Sequence, residues 1–372
     1  MNRIPEKQIC EAWLACAELP SEVLRALLQL YDGARGIYDR IMFQKDSLAD
    51  FLSAAQIQLL LAAGSQSRLD RMAKLLNEHH IHTLCILDDD YPDSLRDILD
   101  PPGILFWTGN LACLQQPRRL AMVGSRSASY AGLKATERIA KELSRKSVVI
   151  ISGLAYGVDT ESHRGCIEGG SPTVAVLGCG LDQTYPEKNL ELKNSILQHG
   201  GLLLSEYAPE VRPIGYHFPY RNRIISGLGC AVVLMEARIR SGSLTTVDHA
   251  LRQGKEVFAY PGDPTAACSD GNRSLLRDGA RFFTTAQDIL SDMNWLDNLP
   301  HVGQNSDCSV KSIPENGAET AVYKALENGT LSFEQILAVT GLSSAELSGI
   351  LTIMQIKKMI DPLPGKKYQL TH

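Results

Sequence analysis

Between residues 120 and 283 the chain repeats one unit: a short run of Val, Ile, Leu, Ala or Met without polar alternation, closed by glycine, a small hydroxyl residue or a charge. Residues 120–123 run into Gly124-Ser125-Arg126, 148–151 into Ser152-Gly153, 173–177 into Gly178, and 231–235 into Glu236. A strand with one wet face alternates apolar with polar residues, whereas a run apolar throughout is covered on both faces. Helices fill the intervals, as at 133–143, where Ile139 and Leu143 lie one turn apart. Further strands are predicted at 201–205, 256–260 and 281–283. The fold class is therefore α/β, a Rossmann-like, doubly wound, mostly parallel sheet. Ligands of such sheets bind in the crevice outside the carboxyl ends of the strands, where small residues leave backbone N–H groups open to phosphate.

A length of 372 residues predicts two or three domains rather than one core. Residues 1–87 read as a small helical, SAM-like domain, with Pro20-Ser21 opening one helix and further helical spacing at 54–61 and 69–79. Residues 88–107 read as a connection into the sheet, and 88–291 as an extended Rossmann-like domain. The polar stretch 292–317 reads as a linker. Beyond it, 318–372 reads as a winged helix: helices at 319–327 and 332–339, a third from a Ser343 cap with Glu346 behind it to 359, then a turn and edge strand. The third helix offers Gln355, Lys357 and Lys358, and a DNA contact and a protein contact both stay open for it.

The net charge of −5 argues against blanket electrostatic attraction to nucleic acid and leaves room for a local basic site. Between residues 210 and 255, seven Lys/Arg stand against three acidic residues. The nine cysteines show no CxxC or Cys/His spacing, which predicts reduced thiols and no metal site. With no membrane-length apolar run and no leader pattern, a cytoplasmic protein without membrane contact is expected.

Four segments carry candidate chemistry. In Gly124-Ser125-Arg126 the serine donates and the arginine forks onto phosphate oxygens; the plain alternative is an ordinary βα turn with a solvated arginine. The GxGxxG spacing of a dinucleotide site is absent, so no NAD is expected. Ser152-Gly153 begins a second turn, followed by Asp159 and His163 four residues apart. A capping carboxylate and a packing histidine are favoured over a metal or acid/base pair, because no third ligand or nucleophile accompanies them. The segment 217–227 places Phe218, Arg221, Asn222 and Arg223 together, suiting a groove that tracks a phosphate backbone and stacks bases on aromatic rings. Ser241, Gly242 and Ser243 open a further helix, where hydroxyls either cap it or meet an anion.

The ordered set Val123-Gly-Ser-Arg126, Ser152-Gly-Leu-Ala-Tyr-Gly-Val-Asp159, Leu181-Asp-Gln-Thr-Tyr-Pro186, Leu204-Ser-Glu206, Phe218-Pro-Tyr-Arg-Asn-Arg-Ile-Ile225, Ser241-Gly-Ser-Leu244 and Tyr260-Pro-Gly262 resembles the DNA-processing protein A (DprA/Smf) family. The resemblance implies a protein that binds single-stranded DNA without sequence preference and dimerises through its Rossmann-like domain. It further implies that such a protein protects incoming strands and loads the RecA recombinase in natural transformation or recombination, with no catalytic residue and no cofactor. Carried over, the pocket comprises Gly124, Ser125, Arg126, Ser152, Gly153, Phe218, Arg221, Asn222, Arg223, Ser241, Gly242 and Ser243. Two departures stand out: Tyr220 where many relatives have arginine, and Gly215-Tyr216-His217 where several place a lysine. The alternative is a nucleotide-binding, phosphoribohydrolase-like enzyme. Its glycine-rich motif would correspond here to Ser241-Gly-Ser-Leu-Thr-Thr-Val-Asp248, with Asp248 as the carboxylate.

Overall fold

The computed structural model describes residues 6–17, 19–44, 48, 51–263, 266–296, 317–326, 330–356, 360–363 and 367–370. They belong to two compact units, Met1–Leu299 and Pro300–His372. The first is built on nine strands: β1 (His82–Cys85), β2 (Ile104–Gly109), β3 (Arg119–Val123), β4 (Val149–Ser152), β5 (Thr173–Leu177), β6 (Leu202–Ser205), β7 (Ala231–Leu234), β8 (Glu256–Ala259) and β9 (Arg281–Phe282). Their order is β1-β2-β6-β5-β4-β3-β7-β8-β9. From β6 to β9 every pairing is parallel, while β1 and β2 add an antiparallel edge.

The central strands are buried along their whole length, as their unbroken apolar runs require. Helices α1 (Glu6–Ala15), α2 (Ser21–Leu30), α3 (Ala34–Asp39), α4 (Ala54–Ala63), α5 (Gln66–Glu78) and α6 (Asp93–Arg96) precede or punctuate the edge strands. Around the parallel core run α7 (Tyr130–Ser144), α8 (Val158–Gly169), α9 (Leu190–Gln198), α10 (His217–Leu228), α11 (Leu244–Arg252), α12 (Asp270–Arg277) and α13 (Ala286–Asp292). Helix starts carry the caps their sequences announce: Ser129 accepts from the Gly132 N–H, and Thr285 and Asp288 cap each other reciprocally.

Two expectations need correction. The segment 88–107 is not merely a connection, because β2 begins within it and pairs with both β1 and β6. The N-terminal helices, expected as a separate domain, have a core continuous with that of the sheet. Trp13, Leu27 and Leu60 share one apolar cluster with Phe106, Ala175 and Leu203 of the sheet, and β1, before residue 87, is a sheet strand. Each such large side chain buried contributes about 1.5–3 kcal/mol, so separating the helices from the sheet would expose a substantial fraction of the stabilising surface.

The second unit contains α14 (Gly317–Leu326), α15 (Phe333–Thr340) and α16 (Ser344–Ile356), with strands β10 (Leu331–Ser332), β11 (Ile360–Leu363) and β12 (Lys367–Leu370) in the order β10-β12-β11. Val322, Ile336, Leu347 and Leu351 fill its core. Ser343 and Glu346 form the expected reciprocal cap of α16. This is the three-helix, winged architecture the sequence predicts. Of the predicted linker, residues 297–316 lie outside the described residues, as do Lys357 and Lys358.

Candidate functional site

The sheet reverses its winding at β3: β4, β5 and β6 follow on one side, and β7, β8 and β9 on the other. Chains leaving neighbouring strands there diverge and open a crevice. A cleft of about 520 Å³ occupies it, lined from β3 by Gly124, Ser125, Arg126 and Ser127, and beyond β7 by Ser241, Gly242 and Ser243. Helix α10 supplies a third wall with Phe218, Arg221, Asn222 and Ile225. Positions 218, 221, 222 and 225 follow the i, i+3, i+4, i+7 spacing of one helical face, which is why they meet the cleft together.

Arg126 is the exposed cation of the cleft, its guanidinium 5.3 Å from the centre of the Phe218 ring. Phe218 in turn lies against Tyr185, ring centroids 5.2 Å apart at 33°. The loop carrying Tyr185 is held from below, where the Lys193 ammonium donates to the carbonyls of Leu181 (2.7 Å) and Gln183 (2.6 Å). Cation and rings form one continuous polarisable surface, of the kind on which bases and phosphates sit.

Arg221 is buried at the floor. Its Nη1 donates to the Gly153 carbonyl (3.0 Å) and to the Val176 carbonyl, tying α10 to the ends of β4 and β5. Burial pushes its pKa down to about 10, against the pull of Asp159. Asp159 accepts from the Gly153 and Ala155 N–H groups, both at 3.2 Å. Burial pushes the pKa of this carboxyl up, while Arg221 and Arg126 oppose that shift. The carboxylate therefore organises the 153–159 turn, and His163, buried and bonded to Thr173, packs beside the sheet. Among the described residues no group of three metal-ligating side chains is assembled.

Glycine is required at two positions of this floor. A Cβ on Gly153 would fall 2.5–2.7 Å from the Arg221 guanidinium. Gly157, at φ +76°, lets the turn pass under the Ser125 carbonyl, which a Cβ would meet at 2.3 Å. The hydroxyls divide by role. Ser125 Oγ accepts from the Ser127 N–H (3.1 Å), which leaves its own proton to donate into the cleft. Ser241 and Ser243 share a bond of 2.8 Å, and Asn222 donates to Thr245 Oγ1 (2.7 Å), bracing the start of α11.

Three expected residues stand elsewhere. Ser152 lies beneath the surface, its hydroxyl donating to the Met122 carbonyl, and Gly153 supports Arg221 without lining the cleft. Arg223 is the larger correction. Two residues apart on a helix are about 200° apart in direction, so Arg221 and Arg223 cannot share a face. Arg223 is 3 % exposed and forks onto Glu206 (2.9 and 2.7 Å), with its Nε donating to the Asp100 carbonyl (2.8 Å). Burial works against its charge, and Glu206 more than compensates, holding its pKa above the ordinary value. The Tyr220 ring stacks at 3.9 Å from its guanidinium, and the Tyr220 hydroxyl donates to Asp100 (2.8 Å). A tyrosine at 220 thus completes a structural cluster. Asp248 is exposed and does not line the cleft. Tyr185, Ser127, Pro213 and Thr246 do; Tyr185 and Thr246 fall within motifs the sequence singled out, and Pro213 does not.

A family model described as DNA recombination-mediator protein A matches residues 82–294, and one described as the DprA winged helix domain matches 311–366. DNA processing protein DprA of Streptococcus pneumoniae is 44% identical over 210 residues, covering 56% of this chain and 73% of its own. Protein Smf of Escherichia coli is 38% identical over 256 residues, 68% of each chain. The X-ray structure of the S. pneumoniae DprA superposes with a TM-score of 0.63 at 36% identity, covering 75% of this chain and 95% of that one. A Helicobacter pylori DNA processing protein A structure gives 0.53 at 30% identity, covering 57% and 95%. With the crevice, its glycine turns and the three helices of the second unit inside the matched spans, the chain belongs to the DNA recombination-mediator protein A family, the DprA/Smf proteins.

Proposed function

We propose that the cleft at the β3/β7 switch binds single-stranded DNA without sequence preference. The observation that carries this reading is the continuous surface of Arg126, Phe218 and Tyr185 beside the serine-bearing turns at 125–127 and 241–243. Arg126 and the Ser125 hydroxyl hold phosphate, and the ring pair takes the face of an unstacked base, each stack worth about 1–3 kcal/mol. A duplex keeps its bases stacked and cannot offer that face. Support also comes from the H. pylori relative, whose structure was solved for its single-stranded DNA binding mode. By family, the bound strand is protected and passed to the RecA recombinase in recombination or natural transformation, with the protein acting as a homodimer through its sheet unit, in the cytoplasm and without turnover.

The test is fluorescence anisotropy with labelled oligo-dT and a duplex of equal length at several salt concentrations. Tight, salt-sensitive binding to the single strand with much weaker duplex binding supports the reading. Equal affinity for both forms, or no binding at low salt, overturns it. In the second case, release of free base from nucleoside monophosphates becomes the assay of choice.

A further inference from the structure

A second cavity lies on the other side of the cleft wall, within the same compact unit. It measures about 670 Å³, and Pro219 lines both spaces. Leu14, Leu19 and Leu24 of the N-terminal helical layer form its aliphatic side, facing Tyr207, Tyr216 and Tyr220. Among the described residues no lysine or arginine lines it, and the carboxylate that does, Glu206, is already paired with Arg223. A phosphate or carboxylate finds no counter-charge there, so an occupant is uncharged and flat enough for a space walled by aliphatic and aromatic groups. The volume fits a small ligand of one or two rings.

His217 marks the polar edge. It is 1 % exposed, stacked on Tyr207 at 3.9 Å and met edge-on by Tyr216 at 4.5 Å. Its Nδ1 lies 3.2 Å from the Gly178 carbonyl and donates to it, which makes Nε2 of the neutral ring an acceptor. That Nε2 is buried and has no hydrogen-bond partner. Leaving a buried acceptor unpaired is costly, and an N–H brought to it recovers the loss. Every nucleobase pairs apolar faces with an N–H or amino edge. We infer that this cavity is a nucleobase site, taking an uncharged base whose N–H donates to His217 Nε2.

The base has two possible sources: a free nucleoside, or one nucleotide of a strand held in the adjoining cleft, and only the second rests on the single-strand reading above. The experiment uses the full chain and 2-aminopurine, whose fluorescence is quenched on stacking, supplied as the free riboside and as single substitutions along oligo-dT. Ala15→Phe fills the cavity from the N-terminal layer, away from the cleft, and His217→Phe removes the acceptor while keeping a ring. Quenching of the riboside that Ala15→Phe abolishes, and that His217→Phe weakens about tenfold for one lost hydrogen bond, establishes a site for free nucleosides. Quenching seen only within the oligonucleotide, at one position and abolished by Ala15→Phe, establishes a site for a base of the strand. Quenching unchanged by Ala15→Phe, or none with either probe, overturns the inference. Failure of oligo-dT to bind at all rejects the single-strand reading separately, because the riboside still reports on the cavity.

Discussion

Arg223→Ala separates structure from binding. The guanidinium is 3 % exposed and makes two charge-assisted bonds to Glu206, whose side chain is only 16 % exposed. Removing it strands that carboxylate and the Asp100 carbonyl without a donor. Breaking one side of a buried pair costs about 3–5 kcal/mol, whereas the Asp100 carboxylate, 38 % exposed, adds about 0–1 kcal/mol. At about 2–4 °C per kcal/mol for somewhat smaller domains, Tm of the sheet unit falls by roughly 6–20 °C. Replacing both partners, as Arg223→Met with Glu206→Leu, recovers much of that, since neither charge is left alone. Arg126→Ala, on the exposed side, leaves Tm nearly unchanged, weakens oligo-dT binding and flattens the log K against log salt slope by about 0.7. Differential scanning fluorimetry and anisotropy on the same preparations make the comparison. An Arg223→Ala protein with parental Tm and lost DNA affinity would refute the assignment of Arg223 to the fold.

Gly153→Ala drives a methyl into the Arg221 guanidinium; overpacking of this kind costs about 1–3 kcal/mol and displaces the cleft floor, so stability and oligo-dT affinity fall together in a urea melt and a titration. Tyr185→Ala removes half of the ring pair and weakens single-strand binding by about 1–3 kcal/mol with no change in salt slope; a changed slope would mean the ring acts through charge. Burial lowers the His163 pKa to about 3. The unfolded chain therefore binds the extra proton first, so this stabilisation is complete above about pH 6.5 and is lost as pH falls toward 3, by about 1.4 kcal/mol per unit. His163→Asn makes the stability curve shallower across that window, and parallel curves for parent and variant would exclude the effect.

The parallel sheet was legible because β3, β4, β5 and β7 are apolar on both faces, a pattern few other structures tolerate. The antiparallel edge was not, since Pro101-Pro102-Gly103 reads as punctuation and only long-range pairing with β6 makes a strand of residues 104–109. The glycine-serine turns at 124–126 and 241–243 were readable as one site once the strands were in place, because both leave the sheet at its switch point. Arg223 misled because two arginines side by side in sequence look like one patch. Helical geometry separates them, and only the distant partner Glu206, at the end of β6, reveals what the second one does. Tyr185 gave the opposite lesson: its role against Phe218 depends on a loop braced by Lys193, a contact with no sequence signature.

A DNA strand bound as proposed runs through the cleft at the β3/β7 switch. Photocrosslinking of 5-iododeoxyuridine-substituted oligo-dT to the full chain, followed by peptide mapping, locates it directly. Adducts are expected on Phe218 and Tyr185, reduced in Arg126→Ala. Adducts confined to the winged-helix unit or to the face of α10 that carries Arg223, with none at those two rings, would contradict it.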